Sequence, residues 1–401
     1  MKGQIALRST VVKLRGFYFS TGLSGGILVP YISILLEHDG FQSGTVGIVM
    51  AIGTFISLLT QPIWGYVVDR FQMTRLTLAM SSMFPGLLAI LFDANWLWVI
   101  VLANSLWNIF TSPQSPISDA YTVVNAPRAG ATYGSVRMFG SLGFAIGGYL
   151  SGEYLARFPV TSLWIPYLVV AALGAAIAFY FPQDRVEFAS TISIRSGITS
   201  LMRNKRFVFF LLGGFLVSQT LTAFNTYFAL TFRAMGGSLA MTGVAFFIAS
   251  GTNVPAMLIA RNVIQRLGRE RTLLIACVAY VLRWAVQAFL PIPWLALVIQ
   301  ILHGISFGFY YVAAVDFVSE NASRDMQATA QSIFGMICSG LAGIVGNLLN
   351  GFLLRYGGPE LMYSVCMVSS LIGAGCFLVV ARLRTTSVIH PSEEDVPETI
   401  H

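Results

Sequence analysis

A chain of 401 residues that is 56% hydrophobic and 10% charged carries too few ionisable side chains to cover a water-soluble globule, because soluble domains are about one-quarter charged. Its net charge of +7 is scattered over short loops, which argues against a basic face for nucleic acid. Its four cysteines, Cys277, Cys338, Cys366 and Cys376, lie inside apolar runs without metal-ligand spacing. They read as small core residues, and no metal or other cofactor is expected.

A lipid bilayer is the solvent that fits such a composition. A helix needs about 20 apolar residues to cross it. Hydropathy predicts twelve spans, at roughly 14–36, 44–67, 75–92, 96–122, 130–155, 162–181, 207–232, 239–263, 272–290, 293–318, 326–354 and 360–382. No cleavable signal is evident before the first, since Met1 to Arg15 carries four basic residues and runs straight into a full-length span. The polar stretch 183–206 is the one long interruption. It separates an N-terminal six-helix bundle, 1–182, from a C-terminal one, 207–384, and the acidic, proline-containing tail 385–401 reads as disordered. The expected fold class is an all-α membrane protein with twelve transmembrane helices in two bundles.

Loop charge gives an orientation. With both termini cytoplasmic, 19 of the 24 lysines and arginines fall on that side. Three (Arg157, Arg233, Arg355) fall on the other, and Arg137 and Arg283 lie within spans. This asymmetry follows the positive-inside rule. The halves also echo each other: Asp119 and Asp316, Ser135 and Ser332, and Gly143 and Gly340 are each 197 residues apart, and Arg70 and Arg266 are 196 apart. Transporters built as such repeats hold their substrate near the midplane, between the halves.

Span 2 ends in Gly65, Asp69, Arg70 and Arg75, and span 8 ends in Arg266, Gly268, Arg269 and Arg271. The first set resembles the loop signature of the major facilitator superfamily, G-x-x-x-D-R-x-G-R-R, with Gln72 near the place of the second glycine. The resemblance implies a cytoplasmic gate, a charge clamp that closes between helix ends. A basic loop that merely sets topology is the alternative.

Five ionisable residues within spans stand out: Asp119, Arg137, Arg283, His303 and Asp316. Charge is costly in hydrocarbon, so such residues face a cavity and a partner. Pro113 and Pro116 interrupt the helix before Asp119, and Gly140, Gly143, Gly147 and Gly148 let the next helix pack closely. The segment "YGSVRMFGSLGFAIGG" around Arg137 is similar to the span 5 motif of lactose permease and its oligosaccharide:proton symporter relatives, with permeases for phenylpropionate and nucleosides fitting equally well. The resemblance implies that Asp119, 18 residues before Arg137, grips substrate together with it, and that Phe144 stacks on the substrate. It implies a second half-site of Asn253, Arg283 and His303 at the family's spacings.

Departures limit the transfer. Ser306 and Ser250 stand where the family has glutamates, Gln300 where it has lysine, and its span 7 aspartates have no match near Thr220 and Asn225. Lactose is therefore not expected, and the family's proton route does not carry over. Asp119, His303 and Asp316 remain as groups able to take a proton. A structural ion pair, a backbone hydrogen bond and a solvated helix end are their respective alternatives. With Arg137 and Arg283 set against Asp119 and Asp316, the cavity would be neutral, and protonating one acid would free an arginine for a polar or anionic substrate.

The expected function is a monomeric, proton-coupled importer of a small polar or anionic solute (a sugar, nucleoside or aromatic acid) in the cell membrane. Its partners are the substrate, protons and lipid, with no nucleic acid. The alternative is a proton-antiport exporter of drugs or metabolites, but "GGYLSGEYLARFP" lacks the proline of the exporters' span 5 signature. With one histidine inside a span and no HExxH motif, an enzyme is not expected.

Overall fold

The computed structural model describes residues 2–181, 203–322 and 327–383. Most of the predicted central loop and the whole tail 385–401 lie outside these residues. In the first half the helices are α1 (Lys2–Leu28), α2 (Ile32–His38), α3 (Ser43–Phe71), α4 (Thr74–Leu88), α5 (Leu97–Thr111), α6 (Gln114–Arg128), α7 (Tyr133–Leu155) and α8 (Trp164–Phe179). The second half has α9 (Lys205–Ser218), α10 (Leu221–Asn225), α11 (Phe228–Ala234), α12 (Leu239–Leu267), α13 (Arg269–Phe289), α14 (Pro293–Val298), α15 (Tyr310–Asn321), α16 (Gln327–Gly335) and α17 (Ala342–Arg382).

Nine segments among the described residues are long and apolar enough to cross a membrane. Leu59, Ile63, Leu102, Val169, Leu258 and Val278 are exposed and give the helices an apolar outer surface, as lipid contact requires. The stretch 97–128, which is not among the nine, is broken at Ser112 and Pro113. Pro113 cannot donate to the Ile109 carbonyl, four residues back. That carbonyl instead accepts from Trp64 Nε1 at 2.7 Å and Ser112 Oγ at 3.0 Å. Helix α17 bends at Gly358, whose φ of +67° precedes Pro359.

Close backbone approach sets the packing. A Cβ on Gly143 would stand 2.2 Å from Phe19 O, and one on Gly147 would stand 2.3 Å from Leu23 O, so α7 lies directly on α1. The two halves meet away from the basic loops. Ser43 Oγ donates to Gly351 O at 3.2 Å, Tyr149 lies against Phe247, and Glu37 faces Arg233 at 3.9 Å. A Cβ on Gly152 would stand 2.6 Å from Leu239 O. At the basic end, a cavity of about 690 Å³ opens beside α12 and α15. All four cysteines are buried and unpaired.

Candidate functional site

The first cluster joins α1, α6 and α7. Arg137 donates to Asp119 Oδ2 and, at 2.7 Å, to the Tyr133 hydroxyl one turn earlier on its own helix. Tyr18 OH donates to Asp119 Oδ1 at 2.5 Å, and Thr122 Oγ1 reaches Tyr18 at 3.4 Å. The carboxylate is thus held on both oxygens, by a guanidinium and a phenol. The side chains of Arg137 and Asp119 keep 40% and 27% of their surface exposed. Tyr311 of α15, in the other half, is near enough to act on Arg137 electrostatically, so the pair faces the gap between the halves. Phe144 lies two turns further along α7, against Gly25 of α1.

The second cluster lies where α13 meets the irregular stretch between α14 and α15. There, residues 299–301 are a 3₁₀ turn and Gly304–Phe309 is a π-helix, a local form often found at functional sites. Arg283 is completely buried. It donates to Gln300 Oε1 at 2.8 Å and to Ser306 Oγ at 3.0 Å. Its guanidinium carbon lies 5.1 Å from the Phe224 ring centre, 5.0 Å from that of Trp284 and 5.9 Å from that of Tyr280. His303 packs on Phe224 at 4.8 Å and on Phe307 at 5.8 Å. His303 Nδ1 and Asn253 Oδ1 are buried without hydrogen-bond partners. Thr252, beside Asn253, accepts from the Gly304 backbone N–H at 3.2 Å and ties α12 to the π segment.

Asp316 is not in either cluster. It accepts from Arg269 Nε at 2.5 Å, and Glu320 meets the same arginine at 2.8 Å, on the wall of the basic-end cavity. The expected balance of Arg283 against Asp316 is therefore corrected. Asp316 lies ten residues past Ser306, about 15 Å along a helical rod at 1.5 Å per residue, and its partner comes from the span 8 loop. Among the expected gate residues, Asp69, Arg70, Arg75, Arg266 and Arg271 are exposed, Gly65 has open space around it, and Gly268 has a φ of +86°. Gln72, near the place of the missing glycine, adopts a left-handed φ of 54°, the conformation a glycine usually supplies at a helix end. Among the described residues, no ion pair joins the halves at this end.

Several contributors were not among the expected site residues, among them Tyr18, the aromatic rings around Arg283, and Tyr133, Gln300 and Ser306. Tyr133 was legible, because residues four apart share a helix face. Gln300 and Ser306 stood out only as departures from the family pattern, and they prove to be the two groups that hold Arg283.

Residues 11–365 match the MFS_1 like family model. The chain is 27% identical to a maltose permease of Geobacillus stearothermophilus, over 95% of this chain and 97% of the permease. It is 23% identical to a probable 3-phenylpropionic acid transporter of Escherichia coli (strain K12), over 88% and 93% respectively. A solved structure of the nucleoside transporter NupG superposes with a TM-score of 0.79 at 17% identity, covering 94% of this chain and 100% of that one; at that identity the likeness concerns the fold alone. A helical fold with apolar outer surfaces, two polar clusters inside it and a family match along most of its length make this chain a multi-pass membrane transporter that belongs to the MFS_1 like family of the major facilitator superfamily.

Proposed function

We propose that the chain is a proton-coupled symporter that imports a small polar or anionic organic solute across the cell membrane by alternating access, acting as a monomer. In this reading twelve spans form two six-helix bundles, 1–182 and 207–384, with both termini cytoplasmic. The basic end then faces the cytoplasm, and the halves, joined at the opposite end, stand open to it. Gly65, Asp69, Arg70, Arg75, Arg266, Gly268, Arg269 and Arg271 form the gate that closes this opening. Asp119, Arg137, Phe144, Asn253, Arg283 and His303 contact substrate. Asp316 is assigned to the gate through Arg269.

The observation that carries the reading is Asp119, a carboxylate in mid-helix, half-buried, and held by Arg137 and Tyr18. A proton on Asp119 breaks its ion pair and frees Arg137 for substrate, while substrate on Arg137 favours the protonated acid. Each ligand thereby stabilises the state the other needs. Sugars and aromatic acids, named for the two relatives above, are the substrates to try first.

The test is uptake into proteoliposomes with an imposed proton gradient. Asp119→Asn is expected to abolish uphill accumulation while leaving downhill exchange. Undiminished accumulation in that variant would remove Asp119 as the coupling site, and accumulation only in inverted vesicles would overturn import.

A further inference from the structure

Building on the transporter reading above, we infer that the substrate is a carboxylate with a flat, apolar body, and that Arg283 is the charge that neutralises it. Arginine stays charged at every working pH, and Arg283 is wholly enclosed. Its two described hydrogen bonds go to neutral groups, Gln300 and Ser306. A guanidinium has five N–H donors, and the Nε of Arg283 is buried without any partner.

No described acid of the second half is available to it. Glu270 holds Arg206, Asp316 and Glu320 hold Arg269, and Glu360 is exposed at the opposite end. A buried cation without a counter-charge is costly. The three aromatic faces around Arg283 soften that cost but bring no negative charge. A ligand that arrives with a carboxylate supplies it, and a planar two-oxygen acceptor matches the guanidinium fork.

The surroundings fit the rest of such a molecule. Phe224, Tyr280 and Trp284 around the cation, with Phe307 beside His303, offer apolar walls. Asn253 Oδ1 and His303 Nδ1, tied to this cluster through Thr252 and Phe224, are further buried polar atoms without partners, as is the Tyr280 hydroxyl. Polar substituents on the ligand can meet them. Ser306 meets Arg283 with a neutral hydroxyl and leaves the cation uncompensated.

The experiment measures binding to the purified, detergent-solubilised protein by titration calorimetry. The probes are benzoate, 3-phenylpropionate, 3-phenylpropionamide and maltose. The acid is expected to bind roughly tenfold or more tightly than its amide. Ser306→Glu places a carboxylate beside Arg283. It is expected to weaken the acid at least roughly tenfold and to leave the amide little changed, with the melting temperature reporting that the variant is folded. Arg283→Gln is expected to erase the preference for acid over amide. Equal binding of acid and amide, failure of both carboxylates to bind, or full acid affinity in folded Ser306→Glu would overturn the inference. Maltose binding and uptake that are indifferent to Ser306→Glu would leave the transporter reading standing and sink this one alone. Absence of uptake of any solute in proteoliposomes would sink the transporter reading itself.

Discussion

At the scale of single residues, the first cluster works through competition for one carboxylate. Asp119 takes a charged donor from Arg137 on one oxygen and a phenolic donor from Tyr18 on the other. Each donates to a carboxylate oxygen, and hydrogen bonds to charged groups are worth about 1.5–3 kcal/mol. Tyr18→Phe removes one of them without removing charge. Proton-driven uptake at a fixed gradient is expected to fall about tenfold or more in this variant. Unchanged initial rates would assign Tyr18 to packing alone. The pairing of Asp119 with Arg137 was legible through the family resemblance around Arg137, which implies a carboxylate partner 18 residues earlier. The environment of Arg283 was not, because its partners depend on a 3₁₀ turn and a π-helix that shift which side chains face α13. A regular 3.6-residue period does not report such a change.

At the scale of elements, hydropathy outlines twelve spans, and about half of them are broken rather than continuous α-helices. The path 205–234 is three helices, the path 293–321 includes a 3₁₀ turn and a π-helix, and Met336–Leu341 is a second π-helix. Proline marks only some of these breaks. Where it does, at Pro113, neighbouring side chains satisfy the freed carbonyl, which is the condition for an irregular backbone inside a bilayer. Gly358 combines φ +67° with ψ −170°, a region essentially closed to residues with a Cβ. Gly358→Ala is therefore expected to cost about 1–3 kcal/mol, read as a lower melting temperature in detergent. An unchanged melting temperature would mean that the bend between the two parts of α17 relaxes freely. Gln72 shows the opposite situation, a side-chain-bearing residue held in a glycine-like conformation, with its amide donating to Asp69 O at 2.8 Å.

At the scale of the whole molecule, the two halves meet at the end away from the basic loops. The joint depends on glycines. A Cβ on Gly47 would stand 2.4 Å from Asn347 O, and one on Gly351 would stand 2.7 Å from Ser43 O. In the proposed alternating-access cycle, rocking of the halves opens this joint once per turnover. Replacing Glu37 and Arg233 by cysteines and bridging them with a short bismaleimide is expected to reduce uptake to background. Binding from the basic end should persist. Full transport in the bridged protein would show that the joint at this end never has to part. The four native cysteines are buried, so the reagent has few competing targets.

By itself, the sequence determined the membrane class and the presence of apolar helices long enough to span it. Both follow from composition and hydropathy along one chain, which local physics links directly to helices. Only the tertiary structure decided which charges meet across helices. It gave Asp316 to Arg269 rather than to Arg283, left Arg283 among neutral and aromatic neighbours, and joined the halves away from the basic loops. Those outcomes depend on helix rotation, on broken turns and on the close approach of glycine faces, where a shift of one residue changes which side chain faces a neighbour, and no periodicity in the sequence records that shift.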